Sequence, residues 1–248
     1  MYTLLTVIAK PLLWILTALY GLIGNYGIAI IILTLIVKLC LYPLYIKQTK
    51  SMAKMTTVQP KMQAIQNQYA NDKEMMNIKI QELYKEEGFN PMSGCLPMLI
   101  QMPIIMGLFA LLRNPLMYMS EAASSKMIFA FHESFLWIDD LSQPDKWVLP
   151  IIAGVATFVA FTMNRLLQDN GGNDQQAQSM NGMMKMMQFV FPVMILWMAR
   201  TYPSGLAVYW AVSQIIQIGF NIHLTHVRKQ IRKEAEIEEL RKKINKKK

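Results

Sequence analysis

Lys38 lies about 12 residues into the apolar run YGIAIIILTLIVKLCLYPLY, Tyr26 to Tyr45. In a helix that is on the order of 18 Å from the start of the run. A cation at that depth is costly unless it faces water, a partner or a polar boundary. The chain has five strongly apolar stretches, and no Asp or Glu occurs in any of them. Lys38 either snorkels toward the nearby end of its run or faces a water-filled cavity, where an ammonium attracts an external anion. Thr34, one helical turn earlier, Gln101 in the second stretch, and Ser213, Gln214 and Gln217 in the last could line such a cavity, with Thr157 a weaker member. Each alone reads as an ordinary interhelical hydrogen bond. As a set beside Lys38 they point to a polar groove, whose chemistry is reversible electrostatic attraction.

Covalent and metal chemistry find little support. His223 and His226 form an i, i+3 pair in HLTH, but no third ligand lies nearby, so they read as interfacial histidines. Ser204-Gly205 would need a histidine base within the membrane, and the sequence offers none. There is no HExxH, no Gly-rich phosphate loop and no carboxylate pair in an apolar stretch. Cys40 and Cys95 make neither a disulfide framework nor a zinc set and read as reduced structural thiols. The chain is therefore not expected to be an enzyme or to need a metal or cofactor. Its 21 methionines gather at Met52, Met55, Met62, Met75 and Met76, and again at Met180, Met183, Met184, Met186 and Met187. They serve either as gap fillers in helix packing or as a flexible surface for varied apolar partners.

The elements that would position these residues follow from composition. Hydrophobic residues make up 53% of 248, and charged residues only 17%, against about a quarter in a soluble domain. The apolar blocks are hydrophobic on every face, which suits lipid. The expected architecture is an all-α membrane protein with five transmembrane helices, an N-terminal interfacial helix and a cytoplasmic helical hairpin. Residues 1–25 form the interfacial helix, about Thr3 to Leu22, and a Gly24-Asn25 turn. The spans are 26–45, 96–112, 147–163, 182–199 and 205–222.

Between the first two spans, 46–95 reads as a hairpin of two helices, Ile46 to Tyr69 and Asp72 to Glu87. Asp72 is its N-cap, Pro60 a bend, and Gly88 with Asn90-Pro91 its stop. Residues 113–146 form a loop outside, 164–181 a polar cytoplasmic loop, and 223–248 a basic tail. Four spans are only 17 or 18 residues long. A 17-residue helix reaches about 26 Å, which points to local bilayer thinning.

The net charge of +9 is distributed rather than uniform. The side holding the hairpin, the 164–181 loop with the adjoining start of span four, and the tail carries 19 of the 25 Lys and Arg residues; the other side carries 5. That asymmetry places the tail in the cytoplasm and the N-terminus outside. It also argues against specific DNA binding, although the terminal lysines suit ribosomal RNA or anionic lipid.

Several segments resemble the YidC/Oxa/Alb family of membrane insertases. GNYGIAIIILTLIVKLCLYPLYIKQTKSMAKMTTVQPKMQAI is similar to that family's first core span and following loop, and NPMSGCLPMLIQMPIIMGLFALL to its second core span. FLWIDDLSQPDKWVLPIIAGV and TYPSGLAVYWAVSQ match later core segments in order and spacing, so the resemblance runs from Pro11 to His226. It implies a five-span core around a positively charged groove, closed to the outside and open to cytoplasm and lipid. Lys38 stands where most bacterial members carry arginine, keeping the charge but losing the bidentate fork. Gln101, Tyr209 and Trp210 match positions the family uses to line the groove or contact substrate. The implied activity is insertion of nascent membrane proteins into the lipid bilayer, with ribosome and Sec translocon as partners, in a bacterial cell (inner) membrane. A small transporter would instead carry paired intramembrane charges or an inverted repeat. A membrane hydrolase would need a nucleophile with its base.

Overall fold

A computed structural model describes residues 2–88, 96–113, 127–168 and 175–245. Cys95 and the side chains of Met52, Met55, Met180, Met183 and Met184 lie outside the described residues. The described chain is helical: α1 (Tyr2–Ile23), α2 (Tyr26–Gln68), α3 (Lys73–Glu86), α4 (Leu96–Arg113), α5 (Val148–Gln168), α6 (Gln175–Thr201) and α7 (Ser204–Asn245). A helical turn over 127–131 and one antiparallel bridge, Phe135 to Ile138, complete it.

Two compact units divide the chain. The first comprises Met1–Tyr42, Met98–Met163 and Met186–Gly219. Its core follows from helical stripes: Ala9, Leu12, Leu13 and Leu16 on α1, and Tyr26, Ala29, Ile30 and Leu33 on α2, are all buried. Leu149, Ala153, Ala156, Thr157 and Ala160 repeat the pattern on α5, whose alanines allow close helix approach. Leu206 to Ala211 of α7 are buried without interruption, so this helix is surrounded by protein where it begins.

The opposite faces are apolar and uncovered. Met186, Phe189, Val190, Val193, Met194 and Trp197 of α6 lie exposed at spacings of three and four residues. Ile151, Val155, Phe158 and Val159 do the same on α5. Water-exposed helices place polar side chains there, whereas lipid accepts apolar ones. Three helical segments among the described residues are long and apolar enough to cross a membrane: Tyr26–Ser51, Val148–Leu166 and Ser204–Gln230. Ala9–Ile23 and Gln101–Leu111 are shorter apolar segments.

One end of this unit is tied by polar contacts. Gly24, with φ +70, ends α1, and its N–H donates to Tyr20 O at 2.8 Å; a glycine accepts that conformation without Cβ strain. Asn25 Oδ1 then accepts the Ile28 N–H at 3.0 Å, capping α2. Glu133 accepts from the Tyr26 N–H at 2.9 Å and from the Tyr20 hydroxyl. The Gly205 N–H donates to Leu141 O at 3.0 Å, and the Ser204 N–H to Gln143 O at 2.9 Å. The segment after residue 132 is thereby fastened to the starts of α2 and α7.

The second unit comprises Pro43–Pro97, Asn164–Lys185 and Phe220–Lys248. Within it Val58 and Met62 of α2 pack with Ile80 and Leu83 of α3. Asp72 Oδ1 caps α3 by accepting the Met75 N–H at 3.0 Å. Lys61 and Glu87 form an ion pair at 2.6 Å across the hairpin.

Two helices run on past the ends of the expected spans. The span 26–45 and the helix expected from Ile46 are one 43-residue helix that retains Pro43 and Pro60. The last span likewise runs on into the basic tail as one 42-residue helix. Apolar composition ends where lipid would end, but hydrogen-bonded helix propagates through Lys, Gln, Met and Ala, which are good helix formers. α4, α5 and α6 have 18, 21 and 27 residues, and the apolar segment of α5 able to cross a membrane takes 19 of its residues, Val148–Leu166.

Candidate functional site

Thr34 and Lys38 stand one turn apart on α2 and are both buried, at 0% and 4% exposure. The Thr34 hydroxyl donates back to Ile30 O at 2.7 Å, so it adds polarity to this face without exposing an unsatisfied donor. Lys38 Nζ donates to Gln217 Oε1 of α7 at 3.2 Å. The amide oxygen is neutral, so this bond eases burial of the ammonium without cancelling its charge.

Helical periodicity places Tyr209, Trp210, Ser213, Gln214 and Gln217 within an arc of about 140° on α7. Tyr209, Trp210 and Ser213 are buried, while Gln214 and Gln217 are half-buried. Gln101 Nε2 of α4 donates to the Tyr209 hydroxyl at 3.1 Å. Trp210 Nε1 donates to Thr157 Oγ1 of α5 at 3.0 Å, and that hydroxyl donates to Ala153 O at 2.6 Å. Polar side chains of α2, α4 and α5 thus converge on one side of α7. Direct bonds among them include Lys38 with Gln217, Gln101 with Tyr209, and Trp210 with Thr157.

The sequence reading missed Gln188. It lies on α6 inside the expected fourth span, is 3% exposed, and donates through Nε2 to Thr162 Oγ1 at 2.6 Å. Its Oε1 is buried without a hydrogen-bond partner among the described residues. The available signal was one amide in the run MKMMQFVFPV, the same kind of anomaly as Lys38.

The arrangement can hold an anionic or polar chain segment by reversible contacts. Hydroxyls, amides and a cation are gathered on these helices, and the five apolar stretches contain no carboxylate. The model of the 60Kd inner membrane protein family matches residues 18–234. The chain belongs to the YidC/Oxa/Alb family. It is 41% identical over 197 residues to the membrane protein insertase YidC of Fusobacterium nucleatum, covering 79% of this chain and 84% of that protein. The insertases of Ectopseudomonas mendocina and Haemophilus influenzae are 36% and 40% identical over 90% and 85% of this chain, respectively.

Against those two relatives the chain spans only 35% of their length. A crystal structure of an active YidC insertase with its first transmembrane domain resolved superposes with a TM-score of 0.55 at 33% identity. That likeness covers 86% of this chain and 45% of the solved one. Family membership accounts for the helical fold and for helices able to span a membrane.

Proposed function

We propose that this chain inserts nascent membrane proteins into the lipid bilayer through a groove lined by Lys38, Thr34, Gln101, Tyr209, Trp210, Ser213 and Gln214. The observation that carries the reading is Lys38, 4% exposed in an apolar helix and bonded to a neutral amide at 3.2 Å. A cation buried in an apolar helix is expensive, and such residues mark substrate or ion pathways. The short polar, often acidic, outer segment of a substrate enters from the cytoplasm and is drawn to Lys38. Its apolar helix then leaves along the uncovered faces into lipid, driven by hydrophobic transfer. No nucleotide or covalent step is required, so the protein works as a chaperone rather than an enzyme.

The accompanying architecture is five spans at 26–45, 96–112, 147–163, 182–199 and 205–222. The N-terminus lies outside and the tail in the cytoplasm of a bacterial cell membrane. The 19 to 5 division of basic residues supports that orientation. The hairpin and tail would receive the ribosome or a Sec translocon. Reconstitution into liposomes with a single-span substrate bearing an acidic outer tail tests the activity. Protease-protected outer tails should accumulate with the protein and not with empty liposomes. Equal protection in both, with the protein correctly oriented, overturns the reading.

A further inference from the structure

The segment between residues 133 and 149 is fixed at one end of the first unit, yet it presents large apolar side chains outward. Phe135 and Ile138 exchange backbone hydrogen bonds of 2.8 and 2.9 Å, closing a turn with Leu136 and Trp137 at its tip. Ile138 is buried and Phe135 half-buried, whereas Leu136 is 74% and Trp137 48% exposed. Leu136 holds φ 55, a conformation that disfavours a branched aliphatic residue. Strain combined with exposure of leucine and tryptophan is unfavourable for a turn that only meets water.

Two further contacts suit an interface between water and hydrocarbon. Trp137 Nε1 already donates to Asp145 at 3.2 Å, so its ring can enter an apolar medium without stranding the N–H. Trp147 is 56% exposed and carries the Arg200 guanidinium 4.0 Å above its ring. A tryptophan with a cation on its polar side is the usual anchor at headgroup level. The height of the segment is set independently. Glu133 binds the Tyr26 N–H, Asp145 the Leu149 N–H, and Leu141 O the Gly205 N–H. Those are the first turns of α2, α5 and α7, the three helices among the described residues that are long and apolar enough to cross a membrane.

We propose that the Leu136-Trp137 turn, together with Trp147, inserts into the headgroup–acyl boundary of the bilayer at the face where α2, α5 and α7 begin. The inference rests on the membrane reading above and adds a lipid-binding surface to it. The anchored turn holds the starts of the spanning helices at a fixed depth while the rest of the protein handles substrate. Because Glu133 and Asp145 connect it to those helices, its insertion is transmitted to them directly.

The full chain is reconstituted in phosphatidylcholine–phosphatidylglycerol vesicles carrying bromines either near the headgroup or at mid-chain. Subtracting the fluorescence of a Trp137→Phe variant from that of the wild type isolates Trp137, and Trp197→Phe isolates a residue on the outward face of α6. Trp137 should be quenched more by the shallow than by the mid-chain bromines and be shielded from acrylamide in water. Quenching of Trp197 by bromines together with free access of acrylamide to Trp137 overturns the anchor and leaves the membrane reading standing. Protection of Trp137 from both quenchers places the turn against protein and also overturns it. Absence of bromine quenching at both positions overturns anchor and membrane reading together. Leu136→Asp, at an exposed site, should shift the Trp137 emission to the red and raise its acrylamide access.

Discussion

Lys38 Nζ and Gln217 Oε1 are joined at 3.2 Å across 179 positions of sequence. The bond fixes where the ammonium sits and leaves its charge uncompensated by the amide. It therefore separates two roles, position and charge, that can be changed one at a time.

Changing the charge should change the substrate preference. An ammonium–carboxylate contact at about 4 Å is worth on the order of 4 kcal/mol near a protein surface and about 1 in water. A wetted groove lies between these limits, so Lys38→Ala should slow insertion of an acidic-tailed substrate roughly tenfold. Lys38→Arg should retain most of the activity. Gln217→Glu should behave like Lys38→Ala, because it supplies a carboxylate at the Lys38 contact and removes the attraction for an incoming anion. A neutral-tailed substrate should be inserted equally by all four proteins. Wild-type insertion of the acidic tail by Gln217→Glu would show that net charge at Lys38 is not what draws it.

What could be read in the sequence was what stands out locally. A lysine in IAIIILTLIVKLCLYPL is anomalous whatever surrounds it, and Asp72 before a helix-forming run announces a cap. Gly24-Asn25 marks the α1–α2 turn for the same reason, since few residues accept φ +70. The pairing of Trp210 with Thr157, or of Gln101 with Tyr209, depends on which helix faces are brought together, and single-helix periodicity does not give that. Pro43 and Pro60 lie inside the 43-residue helix α2. Each removes one backbone donor, but the residues around them sustain the helix. Gln188 was hidden because one amide among methionines alters the mean apolarity very little.

Asp145 gives the outer segment a pH dependence with a definite sign. Partial burial pushes its carboxyl upward, but bonds from the Leu149 N–H, the Trp137 indole and the Trp147 N–H outweigh it and hold the group below its ordinary 3.8. A depressed carboxyl contributes stability that is present above the unfolded value and lost as pH falls through the folded one. The same carboxylate lies at the N-terminus of α5, where negative charge is favoured. Asp145→Asn keeps a capping oxygen but removes the charge, so it should cost about 0.3–1 kcal/mol at neutral pH, the range for a charge at a helix terminus. The gap in thermal midpoint between variant and wild type, measured in detergent, should close once pH falls below the folded value. A gap that stays constant from neutral pH to that region would exclude the ionised carboxylate as its source.

Gly27 tests whether this segment really packs against α2 as closely as the geometry requires. A Cβ added there would meet Phe135 Cγ and Cδ2 at 2.3 Å, whereas one at Gly21 would have nothing within 4 Å. Phe135 cannot retreat freely, because its backbone is bridged to Ile138 and the neighbouring Glu133 holds α2. Gly27→Ala should thus destabilise the protein by about 1–3 kcal/mol, the usual cost of overpacking. Gly21→Ala should be neutral or stabilising by up to about 1 kcal/mol, because alanine is the better helix former. Thermal unfolding of both variants in detergent makes the comparison. Phe135→Ala should relieve the clash, so Gly27→Ala should cost little in that background, a coupling that a generally fragile helix would not produce. Equal midpoints for Gly27→Ala and Gly21→Ala would mean that the turn does not sit against Gly27.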